Sequence, residues 1–369
     1  MDFLYTKWIQ QNNGAGSTPF ETLWDLFQQL LSISGGDVTQ SLRWLNDLDT
    51  DYGITDQFEE GYGLGDFIEE MKERGYLEFD EESRTMVPTP KAGKSIRSKA
   101  LEEIYQQLKK GESGQHKTPH SGKGFEKQPE SRNWKPGDDI RQIDSVQTML
   151  NMYKHSSLDR LELQESDLYV YDTDHYTSVS TVLLIDVSHS MILYGEDRIT
   201  PAKKVAMALE ELISNGYQND TLEIIAFGNT AWKIDRSELP YLQVGPYHTN
   251  TLQALQMARH ALQRKKHANK QIFMVTDGKP SAMLENGRIY KNSFGLDRKI
   301  VNKVLDEAVM CRRSGIDITT FMIARDPYLQ NFVRELTEAN QGRAYYSSLK
   351  NLGEFVFEDY IRNRRKNVR

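Results

Sequence analysis

The chain has 369 residues, with 53 acidic and 46 basic side chains. That is enough for two or three domains with sizeable cores, and the charge balance gives no overall reason to expect nucleic acid. The opening MDFLYTKWIQQNNGAG has no basic stretch followed by an apolar one, and no window approaches about 18 uninterrupted apolar residues, so neither a signal peptide nor a membrane span is expected. The single cysteine, Cys311, allows no intramolecular disulfide. It lies in the helical stripe Val304, Leu305, Ala308, Val309 and reads as a small buried hydrophobe rather than a catalytic thiol. Together these features indicate a cytoplasmic protein.

Thr18-Pro19-Phe20-Glu21 predicts a capping box with proline at the first helical position. Leu23, Leu26, Phe27, Leu30 and Leu31 then give the apolar stripe of a helix. A second helix is expected from near Asp37, carrying Val38, Leu42, Trp44 and Leu45, and a third, DFIEEMKERG, ends at Gly75. YLEF, the polar turn DEES and RTMVPT read as a hairpin. Thr89-Pro90 opens a further helix with Ile96, Leu101, Ile104, Tyr105 and Leu108 on one face. This order resembles a winged-helix module in shape. Residues 1–90 hold 18 acidic and 5 basic side chains, however, the wrong sign for reading DNA. Residues 1–108 are therefore expected to form an acidic, helical, winged-helix-like domain that docks or scaffolds.

Residues 109–137, KKGESGQHKTPHSGKGFEKQPESRNWKPG, have almost no apolar side chains and are expected to be a flexible linker. His116 and His120 lack cysteine or carboxylate partners at ligand spacing and make a poor metal signal. From residue 138 to 369 the pattern alternates strand and helix, with a core at 178–350. Near-continuous apolar strands such as STVLLIDVS, TLEIIAFG, KQIFMVTD and DITTFMIA alternate with amphipathic helices. The fold class expected is α/β, a doubly wound, mostly parallel sheet covered on both faces, preceded by the smaller helical domain. Such sheets bind ligands outside the carboxyl ends of their strands, at the topological switch point.

Asp186 ends the first of these strands, and Ser188 and Ser190 follow at alternate positions. A carboxylate ending an apolar run is costly unless something holds it. Thr249 lies in a loop just before a helix, and Asp277 ends another apolar strand before Gly278. Two carboxylates and three hydroxyls on loops at one sheet edge are hard oxygen donors, suited to Mg²⁺ or Mn²⁺ and unsuited to zinc. Taken singly, Thr249 would be read as a helix cap and Asp277 as a turn residue. His189, between the serines, is expected to face away from the metal, and the basic tail from Arg362 to be a solvated helix end.

Asp186-x-Ser188-x-Ser190, Thr249-Asn250 before a helix with Ala254-Leu255, and the strand end Thr276-Asp277-Gly278 resemble a von Willebrand factor type A (VWA) domain with its metal-ion-dependent adhesion site. The resemblance implies a Rossmann-like fold. It also implies that Ser188, Ser190 and Thr249 give hydroxyl ligands while Asp186 and Asp277 bind directly or through water, one position being left for a partner's Asp or Glu. ITPAKKVAMAL, SELPYL, TDGKPSAMLENGRIY, TFMIARDPYLQNFVRELTEANQGRAYY and KPGDDIRQIDSVQTMLN resemble a group of prokaryotic cytoplasmic VWA proteins related to the integrin-like domain of magnesium chelatase. These are typically encoded beside MoxR-type AAA+ ATPases. The resemblance implies a non-enzymatic, metal-dependent adaptor with a MoxR-type partner and no membrane contact. A metal-dependent hydrolase and a nucleic-acid-associated regulator are the alternatives; no P-loop or nucleophile–base pair is present to support the first, and FIEEMKERG is too acidic for the second.

Overall fold

The computed structural model describes residues 18–111, 131–136, 143–155, 163–171 and 178–364, apart from residues 59–60, 196, 218, 268, 278, 293–294, 324–325 and 347–351. Helix α1 (Pro19–Ile33) starts with the expected capping box: Thr18 Oγ1 accepts from Glu21 N and Glu21 accepts from Thr18 N. Asp37 caps α2 (Val38–Tyr52), and Gly75 follows α3 (Leu64–Glu73) at φ +68°. Strands β1 (Leu77–Asp80) and β2 (Thr85–Pro88) form the antiparallel hairpin, and α4 (Pro90–Gly111) follows.

Part of the segment expected to be a linker belongs to a small second unit, and most of the rest lies outside the described residues. In this unit β3 (Ser131–Asn133) pairs antiparallel with β4 (Tyr169–Tyr171), and α5 (Ser145–His155) lies between them in sequence. The Asp144 carboxylate caps α5, accepting from Val146 N and Gln147 N. Thr148 Oγ1 ties the helix to β4 by accepting from Tyr169 N at 3.0 Å.

The chain then runs β5 (Val179–Asp186), α6 (Ile199–Gly216), β6 (Thr221–Phe227), β7 (Ala231–Ile234), α7 (Thr251–Gln263), β8 (Asn269–Thr276), β9 (Ala282–Glu285), β10 (Arg288–Lys291), α8 (Arg298–Arg313), β11 (Ile316–Met322), α9 (Pro327–Asn340), β12 (Arg343–Tyr346) and α10 (Leu352–Arg364). Six strands make one sheet in the order β12-β11-β8-β5-β6-β7, parallel throughout except for β7. Every residue of β5 is buried, as a central strand covered on both faces requires. Alternate side chains serve opposite layers. Leu183, Ile185, Phe273, Val275 and Phe321 face α6 and α10, whereas Val182, Leu184, Ile272, Met274 and Ile318 face α7, α8 and α9. Helix α6 starts at Ile199, and the Asp197 carboxylate accepts from Thr200 N in its first turn.

The sequence suggests that the amino-terminal helices form a domain of their own ending at residue 108. Instead, among the described residues, 18–111 and 178–363 form one compact unit, with a continuous core from Phe20 to Tyr360. Ile96, Ala100 and Ile104 on α4 join the core layer of α6 and α10. Gly353 on α10 lies so close that a Cβ there would meet Ile104 Cδ1 at 2.7 Å. Polar contacts fix the register. Buried Arg97 lies 3.2 Å from Glu210 and 3.7 Å from Glu211, and donates to the Arg236 carbonyl. Lys203 on α6, 3% exposed, donates to the Ser32 carbonyl and hydroxyl at 2.9 Å and to the Pro240 carbonyl at 3.3 Å.

Burial holds the Lys203 ammonium at a pKa of about 8, below its usual 10.5. The unfolded chain therefore binds this proton more readily than the folded one between those values, and stability rises with pH across that window. The unfolding free energy of the wild type relative to Lys203→Met should shift in the wild type's favour between pH 8 and pH 10.5, by up to about 1.4 kcal/mol per pH unit. Urea titrations at several pH values check this, and a difference flat in pH would contradict it.

Candidate functional site

Strand β5 enters the sheet first, and the chain winds to β6 on one side of it before returning to β8 on the other. The switch point is thus between the carboxyl ends of β5 and β8. Ile185 pairs with Val275, which sets Asp186 beside Thr276 and the following Asp277. Asp186 is fully buried and Asp277 only 3% exposed. Asp186 Oδ1 accepts from Ser188 N at 2.9 Å, and Oδ2 accepts from the Thr276 hydroxyl at 2.6 Å. The tight turn directs the two serine hydroxyls to the same place: Ser188 Oγ and Ser190 Oγ lie 3.0 Å apart. His189, between them, is exposed.

Backbone bonds bind this turn to the loop that carries Thr249. Gly245 N donates to Val187 O, and His189 N donates to Tyr247 O. On the far side Asn250 N donates to Gly228 O, and His248 N donates to Asn229 Oδ1. The cap of α7 is Asn250, which accepts from Gln253 N, so the Thr249 side chain is not the capping group. Thr249 is 2% exposed, and its amide donates to Ser281 Oγ while its carbonyl accepts from Ser281 N and Ala282 N. Asp186 at the end of β5 and the other four residues singled out in the sequence, on three loops, thus lie at one sheet edge.

Thr276, part of the strand-end motif, donates its hydroxyl to Asp186, and two further supporting groups carry no signal in the sequence pattern: Ser281 on Thr249, and Arg198, whose Nη1 lies 3.7 Å from Asp277 Oδ2. Ser281 stands in TDGKPS, but its partner is 32 positions earlier, beyond any local pattern.

Burial, and then the charge of Asp277, raise the Asp186 pKa from 3.8 to about 7. Asp277 Oδ1 is buried with no hydrogen-bond partner among the described residues. An orphaned carboxylate oxygen beside a second buried carboxylate needs a cation, and Arg198 approaches only the other oxygen. The residues present therefore fit a hard divalent ion: two carboxylates and three hydroxyls. Among the described residues no three His, Cys, Asp or Glu side chains gather as a metal cluster, so the fit depends on the hydroxyls. Burial pushes the Cys311 thiol up to about 12, consistent with an inert core residue.

Residues 179–361 match the family described as Rv0959-like protein, vWA domain, and residues 126–173 match the Rv0959-like protein, third domain. The second match overlaps the end of the segment expected to be a linker. The uncharacterized proteins Rv0959 of Mycobacterium tuberculosis and Mb0984 of Mycobacterium bovis are each 31% identical over 313 residues, covering 82% of this chain and 46% of theirs. The chain thus spans about half the length of these relatives. The vWF domain of the type V pili tip protein Mfa5 from Porphyromonas gingivalis superposes with a TM-score of 0.42 at 13% identity, over 52% of this chain and 98% of that one.

The raised pKa of Asp186 means that the folded state binds its proton more tightly than the unfolded chain. Stability of the metal-free protein should therefore fall as pH rises from about 4 to about 7. Asp186→Asn keeps an acceptor for Ser188 N and removes the buried charge. At pH 8 without metal it should be more stable than the wild type, on the order of 1–2 kcal/mol, and Mg²⁺ should no longer raise its melting temperature. Thermal melts with and without Mg²⁺ check both points, and a less stable, Mg²⁺-responsive variant would contradict them.

Proposed function

The chain is a von Willebrand factor type A domain protein, and we propose that it acts as a metal-dependent protein-binding adaptor rather than as an enzyme. On this reading Asp186, Ser188, Ser190, Thr249 and Asp277 hold one Mg²⁺ or Mn²⁺. The ion offers its remaining position to a carboxylate on a protein partner. The observation that supports the reading is the orphaned, buried Asp277 Oδ1 beside buried Asp186, two acidic side chains that Arg198, 3.7 Å from the other Asp277 oxygen, balances only in part. Mg²⁺ retains water where protein ligands run out and exchanges it for anionic oxygen. In a partly desolvated interface the Coulomb attraction exceeds its value in bulk water.

The partner proposed is a MoxR-type AAA+ ATPase, or the client that such an ATPase remodels, in the cytoplasm. The sequence segments that resemble the MoxR-associated group support this choice. The fold supplies a rigid platform for it, since the packing of α4 on α6 holds the amino-terminal helices against the sheet. Among the described residues no helix is long and apolar enough to cross a membrane.

Two measurements test the reading. Calorimetry should find one Mg²⁺ site in the wild type and at least about tenfold weaker binding in Ser188→Ala/Ser190→Ala, since two of the proposed ligands are lost. The purified ATPase encoded nearest this protein should bind the wild type in Mg²⁺, but neither the wild type in EDTA nor the double variant. Equal binding in all three would show that the metal is not the grip, and absence of binding in all three would remove the ATPase.

A further inference from the structure

The β9–β10 hairpin springs directly from the metal loop, and its base is hydrogen-bonded to Thr249 through Ser281 N and Ala282 N. Its turn is Asn286-Gly287, with φ of 51° and 76°, the left-handed pair of a tight two-residue connection. One face is pinned: the Tyr290 hydroxyl donates to Asp297, and Lys299 pairs with Glu285 at 2.7 Å. On the other face Leu284 and Ile289 are directly paired across the strands and remain 48% and 42% exposed. Lys291 stands on that same face, opposite Ala282. Ala282 in turn donates its amide to the Thr249 carbonyl, and Lys279 lies between Asp277 and Ser281 on the loop that leads into the hairpin. Residues 278–299 carry five basic and two acidic side chains, in a chain whose formal net charge is −7.

We infer that this hairpin is a second contact surface for the partner that engages the metal site, and that it takes an acidic peptide segment bearing an apolar side chain. The inference rests on the adaptor reading. One carboxylate of the segment goes to the metal, further carboxylates face Lys279 and Lys291, and the apolar side chain covers Leu284 and Ile289. The charge is complementary, and a rigid apolar pair rimmed by cations has the anatomy of an interface core with a polar rim. The hairpin thereby selects among the many surface carboxylates that a bare metal site would accept. Nucleic acid would satisfy the lysines and leave the apolar pair without a partner.

The test is a random dodecapeptide display library selected on the full chain in Mg²⁺. Winning peptides are synthesised and titrated against the wild type, Lys279→Ala/Lys291→Ala, Leu284→Ser/Ile289→Ser and Ser188→Ala/Ser190→Ala. The expected winners combine at least two acidic residues with an apolar one, and each hairpin variant binds them at least tenfold more weakly while its calorimetric Mg²⁺ affinity is unchanged. Winners that lose affinity in the serine variant but keep it in both hairpin variants would overturn the inference and leave the metal grip standing. Winners that need the hairpin but bind equally in EDTA would uphold the surface and remove the metal reading. No acidic winners, or tighter binding of a single-stranded oligonucleotide than of any peptide, would overturn it.

Discussion

Two carboxylates buried side by side where neighbouring parallel strands end are the constraint on which the rest of the site depends. Desolvation alone disfavours the ionised form of Asp186, and the neighbouring Asp277 adds repulsion. The chain meets only part of this cost. The Ser188 amide and the Thr276 hydroxyl donate to Asp186, and a guanidinium stands 3.7 Å from one oxygen of Asp277. Such an arrangement lowers stability unless a cation completes it.

The surrounding fold holds that constraint in place. A central strand buried along its whole length fixes Asp186, and the parallel register with β8 fixes Asp277. The loops between are cross-tied by main-chain bonds, from Gly245 to Val187, from His189 to Tyr247 and from Ser281 to Thr249. The loop backbones that carry the three hydroxyl side chains are thereby fixed to one another. The amino-terminal helices extend the same rigidity: α4 packs in the core layer of α6, where Arg97 on α4 pairs with Glu210, and Lys203 on α6 ties the end of α1 through Ser32.

Much of this is legible in the sequence. The apolar run before Asp186 and the alternate serines after it mark the strand end and its turn, because the period of two is a local property. The Asp277 strand end and the caps at Thr18 and Asp37 are equally local. Pairing at long range is not legible. The stripe Ile96, Ile104 tells that α4 has a partner, but not that the partner is the VWA core, so the helices before the composition change near residue 108 read as a separate domain although they share one compact unit with residues 178–363. Asn250 rather than Thr249 caps α7, a one-residue choice that propensity alone does not make. Asn286-Gly287 is a local hairpin signal, but only the fold shows that the hairpin it closes stands against Thr249.

If the buried pair and the three hydroxyls hold a divalent ion, crystals grown with Mn²⁺ and measured at its absorption edge show it most directly. The expected result is one strong anomalous peak among Asp186, Ser188, Ser190, Thr249 and Asp277, absent from crystals of Asp186→Asn. A wild-type crystal with no peak there, and with the Arg198 guanidinium seated between the two carboxylates instead, would contradict it.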